Sequence, residues 1–301
     1  MPIVNKLNPL NHKTMKKFRF LPVVLGVLFV SMMASCTKDG VYTPSKKIQR
    51  VYNASSSPWG DVDKYLAESW NWDSKTLSSI DYFYSDGDTK YTQNFSYDGK
   101  RLTRVDVYKY SEYCTYEYEG KYLKTSSYYY KNKMESSVAY TYESGKLTQM
   151  VITYFGNKKS ESNLLFANMP IEPCIANTMK SFAEKADTER GMTIVTYQFT
   201  WTDDNITKVV GTEEGNMMTV TYSYDSKKNP LKGFLDGESA SLSFYSKNNV
   251  TRSMEVDTDG DSYIYSYTYT YDGDNYPTMV IRTMIEPESD YSYTTFYEYN
   301  K

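Results

Sequence analysis

Apolar and polar positions alternate in twos along most of the chain. Between 263 and 271, Tyr263, Tyr265, Tyr267, Tyr269 and Tyr271 share one parity, while Ile264, Ser266, Thr268 and Thr270 share the other. Val138, Tyr140 and Tyr142 stand against Ala139, Thr141 and Glu143 in the same way, and Val220, Tyr222 and Tyr224 against Thr221, Ser223 and Asp225. A period of two belongs to a β-strand with one face on a core. The pattern predicts strands with an aromatic inner face and a hydroxylic, acidic outer one.

These strands come in repeats. An aromatic-x-aromatic-acid unit runs into a turn and then an aliphatic residue at Phe95 to Leu102, Tyr116 to Leu123 and Tyr140 to Leu147, and it resumes at Tyr222 to Pro230 and Tyr269 to Pro277. Degenerate copies stand at Trp72-Asp73, Trp201-Thr202 and Phe244-Tyr245, and Tyr297-Glu298-Tyr299 lies near the C-terminus. The acidic positions 98, 119 and 143 are 21 and 24 residues apart, and 225 and 272 are 47 apart. A period of about 20 to 25 residues accommodates two strands and two turns. Each unit reads as a hairpin with a Gly, Asp or Asn turn. The prediction is an all-β, antiparallel meander curved or closed into a barrel, with residues 67–301 as the β-repeat domain.

Two stretches depart from the alternation. Residues 36–66 hold Pro44 and the run Ser55-Ser56-Ser57-Pro58, and read as a tether. Residues 157–192 interrupt the repeat with Pro170 and Pro173, followed by Ile175, Met179, Phe182 and Ala183 at helical spacing. That insertion reads either as a short helix plugging one end of the sheet or as a hairpin loop with a helical turn.

Residues 1–35 read as an address. From Met15 a basic segment, the apolar run Leu21 to Val30 and the small residues before Cys36 make a secretory signal too short to span a bilayer as a mature helix. The first fourteen residues read as an upstream start. Small residues immediately before Cys36 resemble the lipobox of bacterial lipoproteins, which implies that Cys36 becomes the acylated first residue of the mature chain. The expected localisation is the cell envelope, lipid-anchored, at the outer membrane.

Composition sharpens the picture. The 33 tyrosines dominate the apolar inventory and suit half-buried sheets, which disfavours a helical bundle. Removal of residues 1–35 lowers the basic count from 34 to 29 against 37 acids, a net −8, and the absence of a basic block leaves a nucleic-acid partner without support. The single histidine, His12, is lost with the signal. Histidine-dependent triads, His-ligated zinc and the His-x-Glu deaminase signature are thereby excluded from the mature protein.

Carboxylate-only chemistry survives that exclusion. Glu112, Glu117, Glu119, Glu143, Asp204, Asp225 and Asp272 are plentiful enough for a glycoside-hydrolase pair, although most sit at turn or outward positions. Asp257-Thr-Asp259-Gly260-Asp261 has the opening spacing of a calcium loop but lacks the downstream glutamate, so it reads as a polar turn. No metal, cofactor or catalytic residue is expected. Cys114 shares the parity of Tyr116 and Tyr118 and reads as core; a bridge to Cys174 is the alternative. Trp59, Trp70 and Trp72 form a candidate ligand-binding platform, because tryptophan stacks on sugars and other flat apolar faces; the alternative is that they complete the core at an end of the sheet.

The lipobox, the aromatic-x-aromatic-acid turns, the Lys228-Asn229-Pro230 turn and the stretch Ser246-Lys247-Asn248-Asn249-Val250 together resemble a family of tyrosine-rich lipoproteins of Bacteroides-type bacteria, over roughly residues 70 to 301. That family is a domain of unknown function described as porin-like. The resemblance implies a barrel-like antiparallel fold and carries no activity and no functional residues. The wet outer face argues for a soluble barrel on a lipid leash over a membrane-inserted one. The functional expectation is a non-enzymatic binding or structural lipoprotein whose partners are the membrane, through Cys36, and a glycan or envelope protein. The alternative is a carboxylate-dependent envelope glycoside hydrolase or glycan-binding protein.

Overall fold

The computed structural model describes residues 38–58, 60–108, 110–155, 192–235, 245–287 and 289–300. Its first strands are β1 (Ile48–Ser56), β2 (Val62–Asp73), β3 (Thr76–Phe83), β4 (Thr89–Asp98) and β5 (Arg101–Tyr108). β6 (Glu112–Glu119), β7 (Tyr122–Tyr130), β8 (Lys133–Glu143) and β9 (Lys146–Phe155) follow. The chain then gives β10 (Met192–Thr202), β11 (Asn205–Glu213), β12 (Asn216–Tyr224) and β13 (Val250–Val256), and finishes with β14 (Ser262–Tyr271), β15 (Pro277–Glu286) and β16 (Ser292–Tyr299). Each strand pairs antiparallel with its sequence neighbours, and β1 pairs with β16 to close a sixteen-stranded barrel.

Closure corrects one sequence expectation. Within the stretch 36–66, read as a tether, residues 48–56 are β1, the strand that closes the ring, and β2 begins at Val62. Its alternation is hidden by a register irregularity between Ile48 and Arg50 and by a polar inward residue, Asn53, whose amide oxygen accepts from Thr295 Oγ1 at 3.1 Å. The predicted helical insertion, 157–191, lies outside the described residues, and its last position, Met192, opens β10. Among the described residues there is no helix.

The repeat has a geometric signature. Eight strand pairs meet at one end of the barrel, and each carries a register irregularity at the same place, within two residues of that end of the ladder. In β4 and β5, Ser96 pairs with Arg104 and Tyr97 with Leu102, so Thr103 is the extra residue of a bulge. Such bulges bend a strand and increase its twist, which is how a sheet is curved into a closed barrel. The extra residue is commonly Ser or Thr, and its hydroxyl donates back across the hairpin: Ser78 to Asn71 O, Thr103 to Ser96 O, Thr148 to Thr141 O.

The last aromatic of each unit ties one hairpin to the one before. Trp72 Nε1 donates to Ile48 O at 2.7 Å, Tyr97 Oη to Leu77 O at 2.8 Å and Tyr118 Oη to Leu102 O at 2.7 Å. Trp201 Nε1 reaches Leu147 O at 2.6 Å, Tyr224 Oη reaches Ile206 O at 2.5 Å and Tyr299 Oη reaches Pro277 O at 2.8 Å. A buried tyrosine hydroxyl or indole N–H needs a partner, and the bulge leaves a strand carbonyl pointing inward to supply one. The aromatic-x-aromatic-acid motif and the aliphatic residue after its turn are therefore two halves of one contact, repeated around the ring.

The inner wall holds the core. Leu77, Leu102, Leu123, Leu147 and Ile206, the aliphatic residues after the turns, are fully buried, with Tyr116, Tyr140, Tyr197, Tyr222, Tyr265 and Tyr267 beside them. At Gly211 an added Cβ would lie 2.9 Å from Tyr197 Cε1, so only glycine leaves room for that ring. The parity argument fails at one tyrosine. Tyr263 is 39% exposed and Ile264 is buried, because β15 carries an extra residue between Met284 and Glu286 and the regular alternation of β14 begins only at Tyr265.

Candidate functional site: the capped interior of the barrel

The end where these eight strand pairs meet is filled by two segments. Residues 38–47, before β1, cross this end: Asp39 N donates to Lys121 O at 2.9 Å and Leu102 N to Gly40 O at 2.8 Å. Gly40 has φ +74°, and a Cβ there would fall 2.0 Å from Tyr118 Oη, so glycine is required twice over. The second segment is the long connection from β12 to β13. Lys228-Asn229-Pro230 and Ser246-Lys247-Asn248-Asn249 are its two legs, clamped by Asn229 N to Lys247 O at 3.2 Å and Asn229 Nδ2 to Ser246 O at 3.0 Å. Leu231, Phe234 and Leu235 point inward from it. Tyr245, grouped with a degenerate repeat from sequence, belongs to this segment and not to a strand.

Two carboxylates replace carbonyls in the tyrosine ring where the cap docks. Asp39 accepts from Tyr142 Oη at 2.8 Å and Leu123 N at 2.9 Å through Oδ2; burial raises its carboxyl above the ordinary range against the pull of these donors. Asp225 accepts from Asn249 N at 3.1 Å, Lys227 N at 2.9 Å and the Tyr271 hydroxyl. Asp272 binds Lys46 Nζ at 2.5 Å; burial pushes this carboxyl up, but the ammonium and the Tyr276 and Asp274 N–H groups outweigh it and hold it low. These acids fasten loops.

Trp70 and Trp72 sit inside the same end. Trp70 is 5% exposed, packs 4.9 Å from the Phe234 ring centroid and donates to Glu68 Oε2 at 2.7 Å, while Trp72 stacks 6.4 Å from Trp70 and donates to Ile48 O. Tyr42, 5.8 Å from Trp72, completes the cluster. Trp59 lies outside the described residues. Cys114 is buried on β6, and Cys174 lies outside the described residues. Asp257 Oδ1 is spent on the Asp259 and Asp261 N–H groups at 3.0 and 2.9 Å, the bonding of an Asx turn.

Beneath the cap, between β13 and β16, lies a cavity walled by aromatic residues of β14 and β16, with Arg282 and Thr295 among its polar groups on the barrel side and Asn229, Ser246, Asn248 and Asn249 on the cap side. The Arg282 guanidinium lies 5.2 Å from the Tyr293 ring centroid and 5.9 Å from that of Tyr265, so its cationic face is held by aromatics. The room left beside it is little more than that of a water molecule. A glycoside hydrolase needs two carboxyls facing one cleft; this cavity is lined by no carboxylate.

Sequence reasoning left out Asp39, Glu68 and Arg282. Arg282 shares the parity of Val280, and Glu112, grouped with the mostly outward acids, shares that of Cys114 and Tyr116; strand parity alone places both inside. Glu112 is 6% exposed, and burial raises its carboxyl to about 7 although Tyr128 donates to it. Asp39 carried no signal, because its role depends on partners far along the chain.

No protein-family profile matches the sequence, and no curated protein matches it. Solved structures do. A porin-like protein from Bacteroides uniformis superposes with a TM-score of 0.50 at 10% identity, over 87% of this chain and 100% of that one. A porin-like protein from Bacteroides vulgatus gives 0.49 at 10% identity, over 85% and 99%. The barrel has a porin-like fold. At this identity the likeness concerns the path of the backbone alone.

Proposed function

We propose that the chain is a lipoprotein of the cell envelope, held at the outer membrane by acylated Cys36, whose capped barrel stands in water and serves as a binding or structural module without catalytic activity. The observation that carries this reading is the sidedness of the wall. Asn94, Ser96, Thr141, Glu143, Thr200, Thr268 and Thr270 point outward and are exposed, while the aromatic residues between them are inside. A membrane-spanning barrel needs the reverse, an apolar outer band with a polar lumen. The Arg282 cavity has room for little more than a water molecule, so a glycan or envelope-protein partner would bind on the outer surface of the module.

The anchor is tested by Cys36→Ser. The wild-type protein is expected in the membrane fraction with the mass of an acylated chain beginning at Cys36, and the variant is expected as an uncleaved precursor or in the soluble fraction. Identical mature mass and partition for the two proteins would remove the anchor from the proposal.

A further inference from the structure

We infer that the capped end of the barrel is a membrane-docking face, laid directly on anionic lipid headgroups, with the opposite end pointing away from the bilayer. The inference rests on the acylation of Cys36 proposed above and adds the orientation. Its first support is chain length. Asp39 is bonded into the cap through its backbone and its carboxylate, only three residues after Cys36. Even a fully extended chain spans at most about 11 Å over three residues. An acyl chain on Cys36 therefore cannot hold the barrel on a long leash; the end that contains Asp39 must lie at the bilayer surface.

Charge supplies an independent support. The described residues of the connections at the capped end (38–47, 74–75, 99–100, 120–121, 144–145, 203–204, 225–235, 245–249 and 272–276) carry ten basic residues against six acidic ones. The described residues of the opposite connections (57–61, 84–88, 110–111, 131–132, 214–215, 257–261 and 287–291) carry one basic residue, Lys131, against eight acidic ones. Lys38, Lys75, Lys100, Lys228 and Lys232 are exposed at the capped end. Basic groups next to an acyl chain provide the second signal that makes single-chain anchoring durable, whereas an acidic surface is repelled by anionic lipid.

The exposed large apolar residues mark the opposite end. Val62, Tyr84, Tyr108, Met192, Ile194, Met217, Tyr263 and Ile285 all stand at the ends of strands on the side away from the cap. Strands of seven to twelve residues separate the two ends by roughly 30 Å at about 3.3 Å per residue. That rim is therefore beyond the headgroups.

The test places a donor dye on Ser226→Cys at the capped end or on Asp259→Cys at the opposite end, in a Cys174→Ser background. The protein is held on vesicles of phosphatidylethanolamine and phosphatidylglycerol that contain a rhodamine-labelled lipid. Two preparations are compared: the acylated protein, and a chain in which hexahistidine replaces residues 1–36 and binds a nickel-chelating lipid. Energy transfer is expected to be several-fold stronger from Ser226→Cys in both. Equal transfer from the two positions, or stronger transfer from Asp259→Cys, overturns the orientation. Failure of the first preparation to float with vesicles would instead sink the lipoprotein reading, and the chelated chain would still decide the orientation. Reversing Lys75, Lys100 and Lys232 to Glu is expected to narrow the difference in the chelated chain; an unchanged difference would remove the charges from the inference.

Discussion

At the capped end, aromatic donors reach strand carbonyls in a ring, and Asp39 and Asp225 stand where the cap takes a carbonyl's place. Toward the opposite end the inner wall carries Glu112 and Glu213, both buried, and the rim outside it is apolar and acidic. The same alternating strands thus give one end in which polar groups are paired by repetition and another in which carboxylates are drawn into an aromatic interior. Repetition solves the pairing problem cheaply, because a contact that works in one hairpin works in the next. Buried acids outside the repeat have no such template, and burial raises the pKa of Glu112.

The largest effect expected on this contrast is at Trp70. Removing a buried tryptophan costs about 3–5 kcal/mol, and here it also takes the indole donor from Glu68. Denaturant melts of Trp70→Ala should show that loss with an unchanged m-value. A loss below about 1 kcal/mol would mean that the cap-end aromatics do not form the core, and would return Trp70 and Trp72 to the role of a ligand platform.

Glu112 should produce the opposite sign at the other end. Its folded pKa, about 7, lies above that of an unfolded glutamate, so the folded state holds the proton more tightly. The stability it contributes is full below about pH 4.3 and is lost as pH rises to about 7. Glu112→Gln should therefore leave stability at pH 4 nearly unchanged and raise it at pH 8 by on the order of 2 kcal/mol. A variant whose pH profile runs parallel to that of the wild type would show that folding leaves the Glu112 carboxyl unshifted.

Within the ring, the two kinds of acceptor can be compared directly. Tyr97→Phe deletes a bond to a carbonyl, worth about 1 kcal/mol, whereas Tyr142→Phe deletes a bond to the Asp39 carboxylate, in a class worth about 1.5–3 kcal/mol. Chemical denaturation should rank them in that order. The reverse order would mean that the cap is an ornament on a self-sufficient ring.

The repeat was legible because each hairpin writes its own instructions locally: Tyr97, Asp98, Gly99 and Leu102 lie within six residues and specify a strand, a turn and a buried return. The closing strand was not. Ile48 and Val51 are both buried but three apart, since the bulge at Gln49 resets the alternation, and the partner of β1 lies some 250 residues away. Long-range pairing leaves no trace in a local window. The cap was half legible: the Lys228-Asn229-Pro230 turn and the Ser246 to Val250 stretch are among the features of the family resemblance, but only the structure shows that they clamp each other and receive Asp225. The Arg282 cavity follows from parity once Val280 is known to face inward, and its aromatic walls come from two further strands that no local reading joins.

The smallest expected effect bears on the outer wall, midway between the two ends. Thr268 is exposed on β14, its neighbours Tyr267 and Tyr269 facing the interior. If water covers this wall, Thr268→Lys puts a charged side chain where it is fully hydrated and changes stability by no more than about 0.5 kcal/mol. If lipid covered it, the same ammonium near a bilayer midplane would cost about 2–4 kcal/mol. The variant should accordingly express, fractionate and melt like the wild type, with the anchor at Cys36 intact in both. A melt lowered by several degrees only when the protein is in bilayers, and not in detergent-free buffer, would mean that the wall lies in the membrane. In that event the polar outer face would have to be a lumen-like surface, and the comparison of a wet exterior with an aromatic interior would be inverted.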